Sequence, residues 1–216
     1  TVVPVVGNEY KLVVKDDELG EASGETKIPE APEVEFVSMI DANLEGSAWE
    51  RMTFDITIND PEGLNYYYIT FSVPVLQKNE TTQEYDTIDF TYGEILTEAL
   101  PNHQVYLRNG LLFSDIEFEG EVKQISGVVN FFGVFAIRPW YYTFDYESLM
   151  VDYSTVRLRV SALSEEAYNF HSSYSIQLHT LSNPYAEPNV IFTNVKNGTG
   201  IFAGENVVTK HITVQE

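Results

Sequence analysis

Residues 51–60 read RMTFDITIND, and their alternation decides the fold class. Successive side chains on an extended strand point to opposite sides, so Met52, Phe54, Ile56 and Ile58 share one face and Thr53, Asp55 and Thr57 the other. An apolar face backed by a polar one describes a strand in a sheet packed on a single side. Working outward, EVEFVSMI (33–40), NYYYITFSV (65–73), SDIEFEGEV (114–122) and TVRLRVSAL (155–163) have the same β-rich texture, with Gly, Asn, Pro and Asp in the loops between them. Short strands at this spacing predict a mainly all-β fold, an antiparallel β-sandwich. The DPEG turn at 60–63 has Pro second and Gly fourth, which suits a type I turn and predicts a hairpin from RMTFDITI into NYYYITFSV.

Two regions depart from this pattern. LSEEAYNF (163–170) opens a helix: the Ser164 hydroxyl can cap the first amides, and Glu165 and Glu166 complement the positive end of the helix dipole. Ala167, Phe170, Tyr174, Leu178 and Leu181 then form an apolar stripe expected to dock on the sheet, and Pro184 ends it. A second, short helical turn is read at Tyr92–Leu100, and a last strand at Val207–Val214. Near the start, EYKLVV (9–14) alternates Tyr10, Leu12 and Val14 as a half-buried strand would. Gly20, Gly24, Pro29 and Pro32 then interrupt regular structure, placing a boundary near Pro32. The division is a short strand segment, 1–32, and a main β-sandwich, 33–216, with one docked α-helix near its C-terminus.

Composition narrows the function classes. Hydrophobic residues make up 44% and aromatics 13%, enough apolar area for a packed core rather than a disordered chain. Asp and Glu number 33 against 12 Lys and Arg, and the resulting charge of −21 repels nucleic-acid phosphates and anionic head groups. Cysteine is absent, which removes disulfides, thiolate metal sites and cysteine nucleophiles. No apolar run approaches the ~20 residues that span a bilayer. The chain starts at Thr1 with neither an initiator Met nor a signal h-region, as a trimmed sequence would.

Three constellations could carry chemistry. Asp115, Glu117, Glu119 and Glu121 alternate with Ile116 and Phe118, so they would line one strand face. A calcium site or glycosidase acid pair is conceivable there, but hydrolytic carboxylates must face each other across a cleft, and a charged edge strand that resists aggregation explains the run better. Asp41, Asp55, Asn59, Asp60 and Glu62 flank loops where calcium-binding β domains gather oxygen ligands, which makes Asp55, Asp60 and Glu62 the calcium candidates. No EF-hand spacing supports them, and Asn59 and Asp60 read more simply as turn residues bonded to their own backbone. The aromatic runs NYYYITF and PWYYTFDY, with Trp49 and Trp140, are the features most like a ligand platform. Tyr66, Tyr68, Trp140 and Tyr141 are its candidates, and a docked helix covering Tyr66 and Tyr68 is the competing expectation. His103, His171, His179 and His211 show no zinc spacing, and no nucleophile elbow or phosphate loop is present. The expectation is a binding protein without catalytic residues or cofactor, calcium being the one cation considered.

A longer signature lies at Ser182–Gly204, SNPYAEPNVIFTNVKNGTGIFAG, directly after the LSEEAYNF helix. The Leu-Ser-x-x-x-Tyr helix start, the N-P-[FY]-A-E-P segment and the N-x-x-N-G-x-G-x-F-[AG]-G tail resemble domain-of-unknown-function family 4249, a set of Bacteroidetes surface lipoproteins. DPEG followed by NYY fits the family pattern too. The resemblance runs from about Glu9 to Val214 and is densest from Leu158 onward. It implies that NEYKLVV and TKIP close an immunoglobulin-like N-terminal module, and that the chain sits at the outer membrane or cell surface, held by a lipid anchor preceding Thr1. Family members are commonly encoded beside TonB-dependent outer-membrane transporters, which implies an accessory role in capturing a glycan or peptide ligand. A structural or adhesion subunit and a carboxylate-dependent glycan hydrolase are the alternatives.

Overall fold

The computed structural model describes residues 3–41, 49–79, 81–100, 104–107, 110–132, 149–180, 185, 187 and 189–214. Twelve strands and one helix lie within them: β1 (Glu9–Asp16), β2 (Gly20–Lys27), β3 (Glu33–Asp41), β4 (Trp49–Asn59), β5 (Tyr66–Lys78), β6 (Tyr85–Leu96), β7 (Gln104–Leu107), β8 (Gly110–Ser114), β9 (Val122–Phe132), β10 (Leu149–Val151), β11 (Thr155–Leu163), α1 (Glu165–Thr180) and β12 (Glu205–Thr213). β1 and β2 form a separate two-stranded sheet, and the other ten strands form one antiparallel sheet in the main order β12-β11-β5-β6-β9-β4-β3. Its two ends approach each other, where the Lys210 ammonium on β12 donates to the Val34 carbonyl on β3. The result is a nearly closed, sandwich-like all-β body with one helix.

The alternation in 51–60 places Met52, Phe54, Ile56 and Ile58 in the core at no more than 2% exposure. Facing them across the layers, β5 contributes Tyr67, Ile69, Phe71 and Val73, and the Phe54 and Phe71 rings meet at 4.7 Å between centroids. β6 joins the layers, pairing with β5 through Tyr85–Tyr92 and with β9 through Gly93–Leu96. A Cβ on Gly93, where the partner changes, would overlap the Val129 side chain and come within 3.0 Å of the Phe131 ring. On β9, Gly127 faces inward opposite Phe54, and a Cβ there would overlap the Leu96 carbonyl and lie 3.0 Å from two atoms of the Phe54 ring.

The structure corrects several local expectations. The DPEG segment closes no hairpin: β4 pairs with β3 and β9, whereas β5 pairs with β6, β8, β10 and β11, so the 60–65 loop carries the chain from one layer to the other. SDIEFEGEV is not a strand: β8 ends at Ser114 and residues 116–120 are turn, with the Phe118 amide donating to the Asp115 carbonyl and the Glu121 amide to that of Phe118. Asp115, read with the solvated acids, is fully buried and Phe118 is 4% exposed, so the charged edge strand does not exist. Tyr92–Leu100 holds the end of β6 rather than a helical turn, and GEASGETK, read as an interruption, is β2. β1 does form, but Leu12 and Val14 are 46% and 57% exposed instead of half-buried.

The helix begins as read, with the Ala167 amide donating to the Ser164 hydroxyl at 3.4 Å and the Tyr168 amide to the Ser164 carbonyl at 3.1 Å. Its docking face is rotated from the expected stripe. Ala167 and Ser175 are buried and Tyr168, Phe170 and His171 partly so, whereas Tyr174 and Leu178 are exposed; Leu181 lies outside the described residues. Small residues at 167 and 175 let the helix approach a sheet surface that is itself covered in tyrosine.

Candidate functional site

Three places bring together residues with chemistry to offer. The first lies beneath the helix. Tyr66 and Tyr68 project from β5 opposite to Ile69, Phe71 and Val73; the Tyr66 ring stacks on Tyr168 at 4.5 Å and the Tyr68 ring on His171 at 5.9 Å. Leu112, Leu163 and Ala167 complete this small apolar layer. Burial pushes the Tyr68 hydroxyl up to about 12, and burial also lowers the His171 pKa, opposed by Glu205. These rings are helix-covered packing, and a sugar ring would have to displace Tyr168 and His171 to stack on the faces they occupy. Trp140 and Tyr141 lie outside the described residues, as do the side chain of Trp49, residue His103 and the side chain of His179.

The second place is a pair of buried acids where the 60–65 loop meets the 115–121 turn. The Tyr67 hydroxyl donates to Asp60 Oδ1, and the Gly120 amide donates to Asp60 Oδ2 at 2.8 Å. Asp115 Oδ2 accepts from the Asn65 backbone amide at 2.8 Å and from Asn65 Nδ2 at 3.0 Å. The same Nδ2 donates to the Pro61 and Gly63 carbonyls, tying the loop together. Asp60 is 6% and Asp115 0% exposed. Burial raises the Asp115 pKa to about 6, while the two Asn65 hydrogen bonds lower it and the adjacent Asp60 raises it. Burial first, then Asp60, raises the Tyr67 pKa as well.

The calcium candidates are placed as follows. Asp60 bonds to Tyr67 and to the Gly120 amide rather than to its own turn, and donors occupy both of its oxygens. Asp55 accepts from the Ser38 and Ser126 hydroxyls on the outer face of the β3-β4-β9 sheet, and Asn59 donates to Glu33 at 2.8 Å. Glu62 is exposed. The three candidates therefore do not converge, and among the described residues no three His, Cys, Asp or Glu side chains gather as metal ligands. Asp60 and Asp115 lie buried together rather than on opposite walls of a cleft.

The third place is the β1–β2 hairpin and its seat. β2 rests on the 193–204 segment, whose Asn and Gly residues were legible in sequence only as a pattern. Asn194 Nδ2 donates to the Glu25 carbonyl at 2.9 Å and to the Phe202 carbonyl at 2.7 Å, while its Oδ1 accepts from the Phe202 amide at 2.9 Å. Ser23 and Lys196 exchange backbone hydrogen bonds at 3.2 and 2.8 Å, and Asn197, at φ +57°, donates to the Glu21 carbonyl. The Thr26 hydroxyl donates to Glu166 at the helix start, and Asn206 to the Pro29 carbonyl. β2 is thus anchored along one edge and paired to β1 along the other. Among the described residues the far edge of β1 has no strand partner.

A family model described as "Domain of unknown function (DUF4249)" matches residues 1–211. No curated protein and no solved structure matches the chain.

Proposed function

The chain belongs to the DUF4249 family, and we propose that it is a cell-surface binding and accessory protein that docks on a partner protein through the free edge of β1. The observation that carries this reading is that edge: eight residues, Glu9–Asp16, paired on one side only among the described residues, with Leu12, Val13 and Val14 exposed. An unpaired edge offers a row of amides and carbonyls that an extended segment of another protein can complete, while apolar side chains on its faces supply contact area. The partner suggested by the family resemblance is a TonB-dependent outer-membrane transporter, which the chain, tethered by a lipid anchor, would assist in capturing a glycan or peptide. The charge of −21 favours a basic docking segment on that partner and speaks against nucleic acid.

The test uses the immobilised chain beside a Leu12→Lys/Val14→Lys double variant, since edge lysines oppose strand addition and both positions are solvent-exposed. A detergent-solubilised envelope of the source cell is passed over each, and retained proteins are identified by mass spectrometry. The wild-type chain is expected to retain a TonB-dependent transporter and the double variant about tenfold less, a loss of roughly 1.4 kcal/mol. Equal retention by both would move the contact away from the hairpin. Absence of any transporter from the wild-type eluate would refute the accessory reading itself.

A further inference from the structure

The buried acid pair does something that neither packing nor docking requires. Asp115 Oδ2 has two donors from Asn65, but Asp115 Oδ1 is buried and has no hydrogen-bond donor. The Asp60 carboxyl is its side-chain neighbour, already holding the Tyr67 hydroxyl and the Gly120 amide. If both acids were ionised, a bare buried oxygen would face a second anion, the least favourable arrangement for two carboxylates in a dry site. A single proton removes the conflict, because a protonated Oδ1 becomes the missing donor and Asp60 its acceptor.

We propose that Asp115 carries a proton on Oδ1 and donates it to Asp60, so that one proton latches the 60–65 loop to the 115–121 turn, and that losing it loosens this end of the sandwich. The two segments converge there: the Asp60 amide donates to the Glu121 carbonyl and the Asp115 amide to the Asn65 carbonyl, so both sides of the latch share one small hydrogen-bonded frame. Among the described residues no cation acts on Asp115; the groups that do are Asn65 and Asp60. Tyr67 faces it from β5; Tyr66, on the other face of that strand, feels Asp115 together with Glu165 and Glu166 from the helix start. Glu62 packs beside Gly120, and Lys123 on β9 sits over the Phe118 ring. The Asp115 pKa, raised to about 6 by burial and by Asp60, lies above the ordinary carboxylate value of 3.8. The folded state therefore holds this proton more tightly than the unfolded chain. The stability it contributes is fully present below about pH 4, falls as pH rises through about 6, and levels off above.

Two measurements test the latch. In the wild-type chain, side-chain carboxyl carbon shifts followed by NMR should show one aspartate titrating near pH 6, missing in Asp115→Asn. In that variant the amide Nδ2 replaces the O–H donor, so its denaturation midpoint should change less between pH 5 and 7.5 than that of the wild type and equal or exceed it at pH 7.5. The comparison is needed because a chain of charge −21 repels itself more as pH rises whatever Asp115 does. Parallel stability profiles, or every aspartate carboxyl titrating below pH 5, would overturn the proposal. Should Asp115→Asn fail to fold, the wild-type titration decides alone, supported by Gly120 amide exchange, which a loosening latch accelerates beyond the base-catalysed rise of an open amide.

Discussion

Gly127→Val lowers the stability of the whole β body by about 3 kcal/mol, a fall of roughly 10 °C in melting temperature for a domain of this size. Gly127 lies on the inward face of β9 directly opposite Phe54, in the same column as Ile125, Val129 and Phe131. A side chain there meets the Leu96 carbonyl and the Phe54 ring. Neither can retreat at small cost: the carbonyl belongs to β6, which pairs with β9 over Gly93–Leu96, and the ring is pressed against Phe71 of the opposite layer. Valine has a high strand propensity, so an open position would gain from the exchange, and the expected loss measures the collision alone. Gln124→Val, at an exposed site on the same strand, is the control and should stay within about 0.5 kcal/mol of the parent. Thermal unfolding by circular dichroism reads both. A Gly127→Val melting temperature within about 2 °C of the parent would show that β9 has room for a side chain between Phe54 of the neighbouring strand and the Leu96 carbonyl.

Gly127 also marks how far sequence reading reaches. The alternation of Met52, Phe54, Ile56 and Ile58 located a core face correctly because burial on a strand has the period of the backbone itself. The same logic failed at SDIEFEGEV, where an equally regular alternation of acids and apolar residues is a turn. What decided that segment was a set of hydrogen bonds reaching Asn65 and Asp60, distant in sequence and invisible to periodicity. The helix shows a third case. Hydropathy placed Ala167 and Phe170 correctly on the docked side but assigned Tyr174 and Leu178 to it as well, because hydropathy does not know that the facing sheet presents Tyr66 and Tyr68. Stacking on those rings selected Tyr168 and His171, with Ala167 and Ser175 allowing the close approach. Of the candidate site, the tyrosines and their covering by the helix were legible, but the helix residues that stack on them, Tyr168 and His171, were not, and the acid pair was missed because Asp115 was counted among solvated carboxylates.

Asn194→Ala should free the β1–β2 hairpin while leaving the ten-stranded body folded. One side chain makes three hydrogen bonds, two donated to the Glu25 and Phe202 carbonyls and one accepted from the Phe202 amide, and it is the point where the 193–204 loop is both shaped and joined to β2. At about 1 kcal/mol net for each bond, its removal takes about 1 kcal/mol from the direct tie to Glu25 and about 2 kcal/mol from the loop shape that positions the hairpin's seat. The remaining ties at Ser23–Lys196, Asn197–Glu21 and Thr26–Glu166 are fewer than the intact set and partly exposed. Amide exchange over residues 20–27 should therefore quicken by about two orders of magnitude, with protection of β4, β5 and β9 unchanged. Asn194→Asp separates shape from attachment: a carboxylate still accepts from the Phe202 amide but loses both donors and faces two carbonyls, so it should release the hairpin at least as fully as alanine does. If both variants keep parental protection at 20–27, the hairpin is held by its other contacts and the Asn-Gly tail serves the loop alone. If both release it, Leu12→Lys/Val14→Lys and Asn194→Ala should impair partner docking for different reasons. The first blocks a correctly placed edge; the second leaves the edge intact but unanchored, so its loss of affinity should shrink when the hairpin is fixed back to the body by an engineered disulfide, which a chain without cysteine can accept unambiguously.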